Sequence, residues 1–149
     1  MSITSANATL IMTITNVYSA PQQIQGFGMD DAWMTSLTAA GEFKVGVDAF
    51  GTGGYVPRMP TTTLKLLADS ASTIVFENWL LYQDQVVDIT FAQWTLLLPS
   101  VKRKYTFYQG GLGDMSSLPD GKKMLEDREF KITWLPQGPG VPAISAAPM

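Results

Sequence analysis

Few residues of this chain are of types that do chemistry. Adjacent carboxylates stand at Asp30 and Asp31. Glycine clusters occur at Gly51-Thr52-Gly53-Gly54 and Gly110-Gly111-Leu112-Gly113, and a basic run, Lys102-Arg103-Lys104, precedes Tyr105, Phe107 and Tyr108. A carboxylate pair can hold a metal or divide acid and base roles only if its oxygens converge, and neighbouring residues on a strand point to opposite faces. Asp30 and Asp31 therefore read as exposed turn carboxylates. A phosphate-cradling loop needs a following Lys-Ser/Thr, or GxGxxG spacing that opens a helix. Neither glycine cluster has it, and both read as flexible loops. On a strand, Lys102 and Lys104 share one face, while Tyr105 and Phe107 lie opposite beside Arg103. That arrangement is a poor stacking platform for bases. It reads as a solvated or partner-facing basic face, whose charges could meet acids on a neighbouring subunit.

The chain contains no histidine and no cysteine. Their absence removes the commonest general base, the commonest metal ligand, and thiolate and disulfide chemistry. Serine and threonine are plentiful, but only Ser–Lys schemes remain open to them, and no local motif supports one. The expectation is a protein that is not an enzyme, with no cofactor and no metal.

The elements that position these residues are mostly strands. Thr9–Thr15, Thr61–Ala68, Lys102–Tyr108 and Leu125–Leu135 carry strand patterns, the last alternating Phe130, Ile132 and Trp134 against Lys131 and Thr133. Ile24–Asp31 alternates with glycines that suggest a bulge or a close backbone approach. Ala32–Ala39 fits a polar strand or a turn. Glu42–Asp48 sets Phe43, Val45 and Val47 against Lys44, Gly46 and Asp48, the pattern of a half-buried strand. Asp69 or Ser70 can cap a helix to about Gln83, in which Val75, Trp79 and Tyr82 recur at helical spacing beside Phe76 and Leu80. Val86–Leu98 reads as one long strand with Val87, Ile89, Phe91 and Gln93 on a common face. Gly110–Asp120 reads as a loop of turn formers. The expected fold is mainly β: a β-sandwich or partly closed barrel with one short α-helix. Residues 1–135 form one domain, and the Pro/Gly-rich tail 136–149 is extended or disordered unless a partner orders it.

Charge is sparse, 15% of residues, against 46% hydrophobic. Such a balance suits large contact surfaces better than a highly charged free monomer. The net charge of −3 is unevenly spread: residues 1–100 hold eight acids against three bases, and residues 101–149 five acids against seven bases. No extended basic patch favours tight nucleic-acid binding. The N-terminus lacks a basic n-region and its apolar stretch is broken by threonines, so no signal peptide is expected. No apolar run approaches the ~20 residues that span a bilayer.

The segment Ala49–Pro60 (AFGTGGYVPRMP) is too long for an ordinary hairpin connection. It carries Phe50, Tyr55, Val56, Arg58 and Met59 among glycines and prolines. Two readings stand side by side: an arm whose aromatics anchor an interface, or a compact loop folded on its own body.

The blocks IQGFGMDDAW (Ile24–Trp33), GEFKVGVDAFGTGG (Gly41–Gly54) and TTTLKLLADSASTIVFENWLLYQ (Thr61–Gln83) resemble the tail tube proteins of tailed bacteriophages. The resemblance covers about half the chain, as a pattern of elements more than a strict motif. It implies a β subunit that forms a hexameric ring around a β-barrel lumen, with a long arm, here 49–60, reaching the next ring. Stacked rings would form a conduit for double-stranded DNA in the virion tail, the subunit being made in the host cytoplasm. The implied partners are other copies of the chain, then sheath, tape-measure, terminator and baseplate proteins, without membrane insertion by the subunit. Family lumens tend to be acidic or polar, which makes Asp30, Asp31 and Asp48 lumen candidates. The alternatives are another tail component (a terminator or a baseplate hub piece), or a small-ligand-binding β-barrel using Trp33, Trp79, Trp94 and Trp134.

Overall fold

The computed structural model describes residues 8–25, 33–37, 40–55, 57–115, 118, 121 and 127–149. Its elements follow in order: β1 (Thr9–Ile14), β2 (Tyr18–Ile24), β3 (Trp33–Thr35), β4 (Gly41–Val45), β5 (Gly51–Tyr55), β6 (Thr61–Leu66), α1 (Thr73–Val86), β7 (Phe91–Leu98), β8 (Arg103–Met115), β9 (Arg128–Trp134) and β10 (Ile144–Pro148). The fold is mainly β, as expected, with a single helix among the described residues. Eight strands form one antiparallel sheet in the order β2-β1-β7-β8-β9-β6-β3, with β10 also paired to β8. The sheet does not close into a barrel.

Strand β8 is the spine. One flank pairs with β7 from Arg103–Leu98 to Gly111–Phe91. The other flank is shared end to end: β9 pairs with its second half and β10 with its first. At the junction, Leu135 N–H donates to Gln109 O and Tyr108 N–H to Ala143 O. The tail expected to be extended or disordered is thus ordered by β8 of its own chain.

Alternation explains most of the core. Leu10, Met12 and Ile14 of β1, Leu64 and Leu66 of β6, and Phe130, Ile132 and Trp134 of β9 all point inward and are buried. Helix α1 covers this face. Phe76 stacks on Phe130 with ring centroids 4.2 Å apart, and the Trp79 indole N–H donates to Thr90 O at 2.9 Å. Buried Arg128 of β9 donates to the Glu77 carboxylate, tying helix to sheet. Trp94, Phe107 and Trp134 pack edge-on or tilted, with centroids 4.8–5.6 Å apart.

Several expectations need correction. The helix starts at Thr73 with Ser72 at the N-cap position, in place of Asp69 or Ser70, and the Ser72 side chain makes no cap hydrogen bond. Its hydroxyl instead accepts Gln25 N–H, while the Ser70 hydroxyl donates to Gln25 O, so both serines stitch the end of β2 to the helix. The helix continues to Val86, where a strand was expected, and stops at Val87 in the left-handed region (φ 54°). Val87 and Ile89 are exposed, and the buried face of β7 is Ala92, Trp94 and Leu96, the opposite set. Residues 110–115 belong to β8 and do not form a loop. β2 runs through Pro21. Within Ile24–Asp31, residues 26–31 lie outside the described residues.

Candidate functional site: an unpartnered arm and an apolar groove

Strands β4 and β5 pair only with each other, as a separate two-stranded sheet. Gly46 N–H donates to Phe50 O across the turn, and Ala49 takes φ 66° there. Asp48 accepts Phe50 N–H at 3.4 Å. The cross-strand pairs are Gly41–Tyr55, Phe43–Gly53 and Val45–Gly51 on one face, and Glu42–Gly54 and Lys44–Thr52 on the other. Opposed residues share a face, so the hairpin has an apolar side and a polar side. The apolar side is uncovered: Phe43 is 82% exposed, Val45 76% and Tyr55 76%. The strand expected to be half-buried is amphipathic as expected, but among the described residues nothing buries it. The cluster Gly51–Gly54, read as a flexible loop, is strand β5. Its glycines have a purpose, since a Cβ on Gly53 would stand 3.1 Å from the Phe43 ring, which lies flat across the neighbouring backbone.

The sequence-derived arm residues fall in and below this hairpin. Phe50 is exposed in the turn, Tyr55 ends β5, and Met59 is exposed beyond it. The Arg58 guanidinium sits 6.0 Å from the Tyr55 ring centroid. Val56, Asp30 and Asp31 lie outside the described residues. Asp48 stands at the arm's turn. Sequence reasoning missed Phe43 and Val45 as surface residues. The signal for them was the glycines spaced two apart in β5, which leave an opposing strand nothing to pack on but backbone.

The four tryptophans do not converge on a pocket. Trp79, Trp94 and Trp134 are buried in the core, and half-buried Trp33 lines an apolar groove of about 330 Å³ with Leu96, Leu98, Tyr105, Phe107 and Ile144. This groove lies where β3 meets β7, β8 and β10, on the part of the inner face away from α1. Thr35 and Ile144 also line a second hollow, at the arm's root, with Tyr55, Arg58, Pro60 and Pro142. Among the described residues, β2, β3 and β10 each pair with a single strand of the main sheet. β2 carries Pro21 within it, Pro148 ends β10, and β3 has three residues. Short or proline-bearing edges resist indiscriminate pairing.

Among the described residues, no group of three or more carboxylates is close enough to hold a metal ion, and no helix is long and apolar enough to cross a membrane. No protein-family model matches the chain, and no curated protein matches it. Solved structures similar in fold include two from one phage-tail-like particle. One is a chain of the anti-feeding prophage baseplate, 6-fold symmetrised (TM-score 0.55, 10% identity, covering 99% of this chain and 97% of that one). The other is a chain of the anti-feeding prophage tube-terminating cap (TM-score 0.58, 6% identity, covering 100% and 93%). At these identities the likeness is one of fold.

Proposed function

We propose that this chain is a structural component of a phage-tail-like particle and, within it, the tail tube subunit. Six copies would form a ring, and rings would stack through the β4–β5 arm into a conduit for DNA. The observation that carries this reading is the arm's orphaned apolar face. Phe43, Val45 and Tyr55 would each contribute roughly 1.5–3 kcal/mol on burial. One arm alone would bind weakly after the entropy of association, but a ring's arms engage together, each raising the effective concentration of the next. The fold likeness to chains of a 6-fold-symmetrised baseplate and of a tube-terminating cap supports a structural tail component. It equally favours the second reading, a terminator or baseplate ring that does not polymerise.

The role needs no catalysis and no base reading. An acidic bore gives passing phosphates no surface on which to release counterions, so the duplex slides. Asp30 and Asp31 are the bore candidates. Asp48 would join them only if the arm's turn reached the lumen. Sheath, tape-measure, terminator and baseplate proteins are the further partners of this reading, in a virion assembled from subunits made in the host cytoplasm.

Negative-stain electron microscopy of concentrated protein tests it. Tubes support the tail tube, isolated rings support the second reading, and a protein that stays monomeric overturns both. A variant lacking Thr52–Arg58 is expected to fold and to lose stacking.

A further inference from the structure

No described residue covers the arm's apolar face, and the body carries an apolar groove of matching character. We infer that the groove lined by Trp33, Leu96, Leu98, Tyr105, Phe107 and Ile144 is the seat for the β4–β5 arm of a second copy, with Phe43 and Val45 entering it and Asp48 meeting Arg103 at its end. The inference rests on the self-assembly reading above and names the surface that the arm engages.

Three observations carry it. The first is chemical match. Phe43 and Val45 lie on one face of the arm beside glycines, so the face is thin enough to enter a narrow groove backbone-first. The second is charge. Arg103 pairs with Leu98 across β7 and β8, and Tyr105 with Leu96, so Arg103 projects from the groove's own face at its end. It makes no ion pair among the described residues. Asp48, at the arm's tip, likewise has no cationic partner there. The third is length. Phe43 and Gly46, where the turn that carries Asp48 begins, are three residues apart, roughly 10 Å at ~3.3 Å per residue, and Phe107 and Arg103 four, roughly 13 Å, the turn supplying the difference. An arm with Phe43 beside Phe107 therefore brings Asp48 to Arg103. A patch on one surface that fits a pocket elsewhere on the same molecule makes a heterologous contact, which propagates from copy to copy until it closes or forms a filament.

The chain's lack of cysteine makes the test clean. Val47→Cys protein, which keeps Phe43 and Val45 and carries its thiol beside Asp48, is mixed with Leu98→Cys protein, whose thiol stands opposite Arg103, at assembling concentration and treated with a short bismaleimide. Val47→Cys mixed with Leu81→Cys, on the exposed outer side of α1, is the control. The expected result is a cross-linked heterodimer in the first mixture at least tenfold above the control. Asp48→Arg should reduce that yield at least fivefold, and Arg103→Asp on the other copy should restore it. This swap does not depend on how well the groove variant packs. Rings or tubes that form without the Val47–Leu98 adduct overturn the groove contact and leave the assembly standing. A monomer that gives no adduct overturns both. An adduct formed only within one chain, in the double variant at high dilution, overturns the exchange between copies.

Discussion

The indole of Trp134 lies on the α-carbon of Gly110, its cross-strand partner: a Cβ added there would stand 2.4 Å from the Trp134 ring. The glycine is the floor on which the central aromatic cluster rests, because Trp134 also touches Trp94 and Phe107. Gly110→Ala must therefore lift the ring, although alanine suits a strand no worse than glycine. Overpacking of this kind typically costs about 1–3 kcal/mol. Urea denaturation should show a lowered midpoint with an unchanged slope.

The two inner tryptophans differ in how their polar atoms are served. Trp134 Nε1–H donates to Thr62 Oγ1 at 3.1 Å, whereas buried Trp94 Nε1 has no acceptor among the described residues. Replacement by phenylalanine removes similar ring area at both sites. At Trp134 it also removes one hydrogen bond of the Thr62 hydroxyl, which keeps its contact with Thr35 Oγ1 at 3.2 Å, and at Trp94 it relieves an unmet donor. Trp134→Phe should be more destabilising than Trp94→Phe by about 0.5–1.5 kcal/mol. Chemical denaturation of the two variants side by side decides it.

Val87 ends α1 with φ 54° and ψ 45°, a left-handed conformation that a β-branched side chain disfavours. Its backbone N–H still closes the helix onto Gln83 O, and its side chain is exposed. Val87→Gly removes the strain without loss of packing. The gain is partly offset by the freer unfolded chain, leaving about 0.5–1 kcal/mol of stabilisation. Thermal unfolding should show a higher Tm.

Phe43→Ser with Val45→Ser alters side chains that touch little of the body. The subunit's stability should stay within about 0.5 kcal/mol of wild type. Assembly at high concentration should be lost, as read by sedimentation velocity. Loss of both stability and assembly would mean that the arm is part of the core.

What could be read from the sequence divides along this same line. β1, β6, β9 and the inner face of α1 were legible because Met12, Leu64, Phe130 and Trp79 are buried within the chain that carries the pattern. In β4 the alternation is just as clear, but Phe43 and Val45 find no partner in that chain, so periodicity overstated their burial. The two glycine clusters misled for a related reason. Gly53 and Gly110 look like turn residues in a local window, and only rings from other strands, Phe43 and Trp134, reveal them as strand positions. Val86 and Val87 have strong β-propensity, yet helix packing through Trp79 carries α1 to Val86, with Val87 as its cap. Of the proposed site, the arm's turn and Tyr55 were visible as an over-long segment. The groove was not, because it is made where β3 meets β7, β8 and β10, strands far apart in the chain.

The end-to-end placement of β9 and β10 along β8 has a mechanical corollary. Among the described residues β10 pairs with β8 alone, so it can peel from Arg103–Phe107 while every rung joining β8, β9 and β6 stays closed. Partial opening there needs far less free energy than global unfolding. The last strand is a latch. When it lifts, it bares a ready-made berth on the spine, one that the matching tail of a sister molecule could fill by strand exchange.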